Sequence, residues 1–565
     1  MKFSKILTTA FVALGATLAL SGCIRETFPK ESAITQEQLM SGQIEIVAEN
    51  LMKGIPRSML TPQYDPNTIH GDYGWPAVGV FFDMAAQTIV ANGWSMGWNA
   101  GYNRYYMPAW GWQYGTNGWM PHYFWYVYYP IIKSCNDLVI LLDGNEDMAD
   151  YVAIARTYRA LLYLDLARLF EALPVDSELS ADYAAQQALV AGLTVPIVNE
   201  FTKEEDAKQN PRATREEMFK FILSDLAAAE EVFGSENYKP VASTDPTLAV
   251  VYGLYARTYL WLGGFNDFLS GELPEGNEAY AKAAEYARKA ITVSGCRPLT
   301  EAEYCDPING FCTINNSWML GMVQSSETVL SNLHTWAAHM CPTAGWGYGS
   351  GSQPGVRKAS YERMSNTDFR KKLIVGPNTT YADYENVTDL TEEEWLSGGL
   401  EGKGIRTYCH LKFRTRGEKV SSTTGNVVDI PIMRVEEMYF IEAEATAHYD
   451  AATGKALITS FMTAHRDPQY TVAVGVNLID EIIFQKRCEF WGEGILFYDF
   501  KRLDMGIDNA YEGSNAPGGT DFSTTGHCPA WNLCIPQKET QQNNALEGKN
   551  NPDPSRTLKP KSEAA

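Results

Sequence analysis

Helical periodicity constrains this chain more than any other feature. In DMADYVAIARTYRALLYLDLARLFEALP, residues Val152, Ala155, Tyr158, Leu162, Leu166 and Leu169 recur three or four positions apart, and Pro174 follows. Apolar residues at that spacing share one face of a helix, and a proline marks where it stops. The same pattern recurs in TREEMFKFILSDLAAAEEVF, where Thr214 and Glu217 have the spacing of a capping box. It recurs again in DPTLAVVYGLYARTYLWLGG, which runs to a Gly-Gly stop, and in NEAYAKAAEYARKAITVSG, which runs to Gly295. HYFWYVYYPIIKSCNDLVILLDG continues helically with a kink or restart expected at Pro130. Nearer the start, Thr35 and Gln38 open a further helical stretch.

Small residues such as Ala155, Ala256 and Ala284 fall where neighbouring helices would approach. Paired helices of this kind predict a mainly α fold of TPR-like helical hairpins. Their irregular spacing excludes a fixed-period array, and an all-α domain without TPR geometry is the plainer alternative. The helical scaffold is expected over about 36–295 and 430–505, a loop-rich insertion over about 296–429, and a polar C-terminal segment over 506–565. Helices are expected to resume at PIMRVEEMYFIEAEATAHY and VNLIDEIIFQKRCEFWGEGILFYDFKRLDMG, and the last part of the C-terminal segment is expected to be disordered.

The first residues address the chain elsewhere. Lys2 and Lys5 precede an apolar run, Ile6 to Leu20, which ends at Leu20-Ser21-Gly22-Cys23. That order reads as an export signal, and the run is short for a span. Residues 1–22 are therefore expected to be a lipoprotein signal peptide, Cys23 the lipidated residue, and 23–35 a tether. More than one acyl chain makes such anchoring stable. No Asp follows Cys23 to suggest retention at the inner membrane. A net charge of −22 argues against nucleic acid, which demands basic patches. Cys23 apart, the ten cysteines leave an odd number. Cys305 with Cys312 and Cys528 with Cys534 are close enough in sequence to bridge, although connectivity does not follow from sequence.

One segment does not read as helix packing. GWSMGWNAGYNRYYMPAWGWQYGTNGWM, residues 93–120, sets rings at irregular intervals beside Gly97, Gly101, Gly111, Gly115 and Gly118. Core, partner interface and ligand platform all compete for it. A pyranose has an apolar C–H face and a hydroxyl rim; indoles suit the first, and Asn99, Asn103, Gln113 and Asn117 suit the second. Burying ~60 Å² of sugar face at ~25 cal/mol per Å² contributes ~1.5 kcal/mol per ring. Three rings reach roughly 4–5 kcal/mol, a binder of about millimolar strength. The neighbouring HYFWYVYY is expected to be core.

No enzyme signature emerges. The histidines have no HExxH spacing, and GWGYGSG lacks a phosphate-loop ending. Glu489 and Glu493 would share one helical face, whereas glycoside hydrolysis sets two carboxyls about 5–9.5 Å apart across a sugar. Pairing, either locally with Lys486 and Arg487 or with another helix, is the favoured reading for them.

The late helix IIFQKRCEFWGEGILFYDFKRLDMG carries Arg487, Glu489, Glu493, Gly494, Asp499, Arg502 and Leu503. It resembles the signature of the SusD/RagB family of outer-membrane lipoproteins. PIMRVEEMYFIEAEA, with Arg434, Glu437 and Ala443-Glu444-Ala445, is similar to the preceding family helix. The segments around Tyr151 to Pro174, Asn210 to Glu231 and Ile535 to Glu539 resemble others, in the family's order. Ile495 stands where the family often has arginine, and Met505 where it often has tryptophan. The resemblance implies a SusD-like fold over 36–565 and a glycan-binding surface protein that delivers its cargo to a SusC-like TonB-dependent transporter. It implies no enzyme and no cofactor; a structural Ca²⁺ is not predicted. By position in the family's ligand loops, Trp94, Trp98, Asn99 and Tyr102 are expected on one side of the ligand, and Trp336, Trp346 and Tyr348 on the other. Trp110, Trp112 and Trp119 are left to core or to a transporter contact. Peptide capture on the same fold is the alternative, and a glycoside hydrolase using Glu489 and Glu493 a third reading. Neither the glycan nor its linkage is legible.

Overall fold

The structure, a computed structural model, describes residues 44–62, 71–86, 88–90, 115–175, 181–240, 242–264, 270–324, 335–398, 404–418, 427–517, 522–526 and 528–554. Cys23, the signal peptide and tether, the Thr35 cap, Trp94, Trp98, Asn99, Tyr102, Trp110 and Trp112 lie outside the described residues. The chain divides into an N-terminal unit, Met1–Asn50, and a large unit, Leu51–Ala565.

The first described helix is α1 (Ile44–Met59), and the large unit then proceeds through α2 (Trp75–Ala85), α3 (Trp119–Leu141), α4 (Ala149–Phe170), α5 (Ala181–Ala188), α6 (Glu204–Ala207), α7 (Arg215–Phe233), α8 (Leu248–Gly264) and α9 (Gly276–Ser294). Strand β1 (Trp318–Met322) and the short helices α10 (Trp336–Met340) and α11 (Tyr348–Ser352) lie in the insertion. Strand β2 (Ile430–Arg434), α12 (Val435–Tyr449), α13 (Ala451–His465), α14 (Leu478–Glu489), α15 (Leu496–Arg502) and α16 (Gln537–Gln542) complete the named elements.

Each scaffold helix packs on the next: α3 on α4, α4 on α7, α7 on α8, α8 on α9, α9 on α12, and α12 on α13. This is the TPR-like arrangement expected from the periodicity. Helix α4 is buried along almost all of its length from Ala153 onward, which explains its nearly all-round apolar character. Ala155 and Ala256 are fully buried and Ala284 nearly so. Gly263 approaches Tyr280 so closely that a Cβ would lie 2.7 Å from its ring. The Thr214–Glu217 capping box forms in both directions, with the Glu217 amide donating at 3.2 Å and the Thr214 amide donating back at 2.8 Å. Gly295 ends α9 in the left-handed region, at φ 65°. Helix α3 runs through Pro130 as one span, its partly exposed turn backed by the Ser134 hydroxyl donating to the Pro130 carbonyl.

Two expectations change. PIMR is not the start of a helix: it is β2, paired antiparallel with β1 in an irregular register, and the helix begins at Val435. Five buried residues with no alternation carry no local strand signal. The long late helix is two, α14 and α15, broken where Gly492 and Gly494 take φ of 80° and 74°. The C-terminal segment is tied down as far as Pro554. Asn550 donates to the Ile535 carbonyl, and Asn551 donates to the carbonyls of Phe170 and Leu533. Its asparagines serve as backbone staples, which polar composition does not reveal. Residues 555–565 lie outside the described residues.

Candidate functional site

One backbone bridge joins the residue run before the first loop segment to the one after the second. Helix α2 ends in a turn whose Thr88 and Ile89 amides donate to the Asp83 carbonyl at 2.7 and 3.1 Å. The next residue, Val90, exchanges both backbone hydrogen bonds with Gly355, at 2.9 and 3.0 Å. Gly355 also bridges to Cys409. A Cβ on Gly355 would lie 2.3 Å from the Tyr408 carbonyl, so only glycine allows this approach. The buried indole of Trp491 donates to the Gly355 carbonyl at 3.1 Å and stacks on His410. Val90, three positions before the aromatic segment, is thereby tied to Gly355, just after the 336–352 loops. At the other end of the segment, Gln537 N donates to the Thr116 carbonyl at 2.9 Å.

The second cluster is built on short turns. Thr335 caps α10 through the Ala338 amide at 3.2 Å. Gly345 and Gly347, at φ 80° and 108°, turn the chain on either side of Trp346, and a Cβ on Gly347 would meet the Ala338 carbonyl at 2.8 Å. Trp346 and Tyr348 are half-buried, so each presents part of its ring at the surface. Tyr348 leans on buried His339, with centroids 5.0 Å apart, and His339 leans on Tyr73 at 4.5 Å. Burial pushes the Tyr348 hydroxyl up to about 12, so it stays a neutral donor.

Trp336 differs. Its indole is 3 % exposed and packs edge-on to Phe413 at 5.1 Å. It is a core residue here and offers no open face to a ligand, a correction to its expected role. The one-turn helix that carries it points the ring inward, and no periodicity in so short an element signals that. In HYFWYVYY, Tyr123, Phe124, Trp125, Val127 and Tyr128 are buried as expected. The Val90–Gly355 bridge and the Tyr73–His339 support left no sequence signal, because each joins distant segments.

Beneath the bridge lies a buried charge network. Glu489 is fully buried and paired with Arg466 at 2.7 Å, Arg370 at 3.2 Å and Arg434 at 3.3 Å. Glu493 is paired with Lys412 at 2.5 Å and Arg434 at 2.8 Å. Burial alone would raise both carboxyls, but the surrounding cations hold both below the usual carboxylate range. Sealed and ionised, neither is placed to protonate a leaving group. The pairing comes mostly from other elements, not from the adjacent Lys486 and Arg487. Lys486 instead meets Asp499 at 2.5 Å, and Arg487 lies over the Phe500 ring. Gly494, where a Cβ would lie 2.2 Å from the Gly79 Cα, lets its amide reach the Asp83 carboxylate at 2.9 Å.

The cysteines expected as candidates for bridging are free thiols: Cys305, Cys312, Cys528 and Cys534 all stand unbridged. The Cys534 sulfur instead lies 3.6 Å from the carbonyls of Asn551 and Pro552. Among the described residues no group of His, Cys, Asp or Glu is arranged to hold a metal. Among them, too, no helix is long and apolar enough to cross a membrane.

Comparison with known proteins agrees with this architecture. A SusD-like family profile described as "Starch-binding associating with outer membrane" matches residues 81–260, and the SusD family profile matches residues 348–553. No curated protein matches. Among solved structures, a SusD-like carbohydrate binding protein from Bacteroides vulgatus is 20% identical, with a TM-score of 0.64 over 89% of this chain and 97% of that one. A SusD superfamily protein from the same species is 16% identical, with a TM-score of 0.65 over 90% and 98%. Surface glycan-binding protein A from Bacteroides thetaiotaomicron, solved in complex with laminarihexaose, is 16% identical, with a TM-score of 0.58 over 90% and 99%. At these identities the structural likeness speaks to the fold. One profile takes in Val90 and the helices α3 to α7, the other Gly355 and the Glu-Gly signature: the chain belongs to the SusD/RagB family.

Proposed function

We propose that this protein captures oligosaccharide or polysaccharide at the cell surface and passes it to a SusC-like TonB-dependent transporter, held to the outer membrane by lipid on Cys23. The observation that supports the reading is the half-exposed pair Trp346 and Tyr348, in a loop followed by Gly355, whose backbone bridges to Val90, three positions before the tryptophan-rich 93–120 stretch of sequence. Trp94, Trp98, Asn99 and Tyr102 then provide one wall of the ligand site, and Trp346 and Tyr348 the other. The glycan-binding protein solved with laminarihexaose supports the ligand class. The mechanism is binding and release with no bond broken, in keeping with the ion-paired state of Glu489 and Glu493.

Affinity electrophoresis through gels containing soluble polysaccharides tests this. Retarded migration in at least one gel is expected, and Trp98→Ala or Trp346→Ala should weaken it about tenfold or more while leaving helicity unchanged. Retardation unchanged by both substitutions would remove the assigned site. Reducing ends accumulating during incubation with the bound glycan would replace binding by hydrolysis.

A further inference from the structure

A separate groove of about 660 Å³ opens between α3, the 196–210 segment and α16. None of its lining residues belongs to the two loop clusters. Its volume falls within the range of small-molecule sites, roughly 300–1,000 Å³. The floor is aromatic. Trp125 is buried, with its ring against Tyr129 at 4.6 Å and edge-on to Phe170 at 5.4 Å, and above it Tyr126 and Tyr129 are half-buried.

Both tyrosine hydroxyls are committed within the protein. Tyr129 donates to the Pro196 carbonyl at 2.7 Å and Tyr126 to Glu539 at 3.3 Å. Those bonds run to residues that themselves line the groove and occupy the hydroxyl protons, so what the two rings chiefly offer a ligand is ring face. The rim, by contrast, is polar and electrically balanced. Lys133 is paired with Asp137 at 2.6 Å and Lys208 with Glu204 at 3.3 Å, and Gln542 stands exposed beside them. With Glu539 as well as Glu204 in the lining beside Lys133 and Lys208, the groove offers an anionic ligand no excess of positive charge. A neutral ligand with an apolar face and a rim of hydroxyls meets both surfaces without that cost.

We propose that this groove is a second carbohydrate site, taking a short stretch of a neutral glycan with its sugar rings over Tyr126 and Tyr129. The proposal rests on the glycan-capture reading. It adds that one polysaccharide chain is gripped at two separate places. Two weak sites on one polymer reinforce each other through effective concentration, by about 10²–10⁴ at best.

The test uses the purified full chain in gels of soluble starch, laminarin, xylan and galactomannan. Ala207→Trp fills the groove from its rim, and Tyr126→Ala removes a ring face. Each should weaken polysaccharide retention about tenfold or more, leaving a residue of binding that Trp346→Ala then removes. Hydrogen exchange on the unaltered protein gives a readout that needs no variant to fold. The bound polysaccharide should protect residues 122–133 and 537–546. Retention unchanged in both groove variants, or no protection of those segments while Trp346→Ala still weakens binding, overturns the second site and leaves the first standing. Retention in none of the gels overturns both.

Discussion

Arg466 is buried between Glu489 at 2.7 Å and Glu436 at 3.1 Å. Removing one partner of a buried pair strands the others, at a cost of about 3–5 kcal/mol. Arg466→Ala is therefore expected to lower the urea midpoint sharply. Lys282→Ala, which removes an exposed pair with Glu285, should change stability by less than about 1 kcal/mol. Asp83 supplies a pH dependence. Complete burial raises its carboxyl from 3.8 to about 7, outweighing the hydrogen bond from Gly494 and the charge of Lys412. A carboxyl raised on folding contributes stability below its unfolded value and loses it as pH climbs through the folded one, here between about 4 and 7. Asp83→Asn keeps an acceptor for the Gly494 amide but does not titrate. Relative to the parent protein, its melting temperature should rise between pH 5 and 8, by the equivalent of roughly 2–3 kcal/mol. A flat difference would show that Asp83 titrates normally. The Glu489 and Glu493 signature was readable in sequence, but the partners that neutralise Glu489 were not. They sit 119, 55 and 23 positions away, and pairing over such distances is a property of the packed chain.

Elements with local signals were readable. Helices α4, α7, α8 and α9 announce themselves by spacing, a capping box and terminal glycines, all interactions within a few residues. Thr214→Ala removes one half of the box that opens α7 and should cost about 1 kcal/mol, measured as a lowered melting temperature; Thr214→Ser should recover most of it. The strand pair was not readable. Strands β1 and β2 are five buried residues each and lie more than a hundred positions apart, so neither shows alternation or a hairpin turn. The turn after α14 was also missed as a break. Gly492 and Gly494 adopt positive φ there and pack where a Cβ would meet Phe413 and Gly79, and that close packing exists only once the insertion and α2 are in place.

For the whole molecule, the proposed capture of glycan and the two tryptophans of the second loop cluster make separable claims. Trp346→Ala should weaken polysaccharide binding with little change in melting temperature, because the ring is half-exposed. Trp336→Ala should destabilise by about 3–5 kcal/mol, because its indole fills core against Phe413. The opposite pattern would exchange their roles. Cys23→Ser should move the protein from the membrane fraction to the soluble exported fraction, and an unchanged distribution would count against the lipid anchor. Sequence by itself determined the helical class, the order of the family segments and the aromatic wealth of the loops, since each is written in neighbouring residues. Tertiary structure alone decided which tryptophan faces outward, that Val90 meets Gly355, and that an aromatic groove opens beside the C-terminal helix. Those outcomes depend on contacts between segments tens to hundreds of residues apart, whose geometry no local pattern encodes.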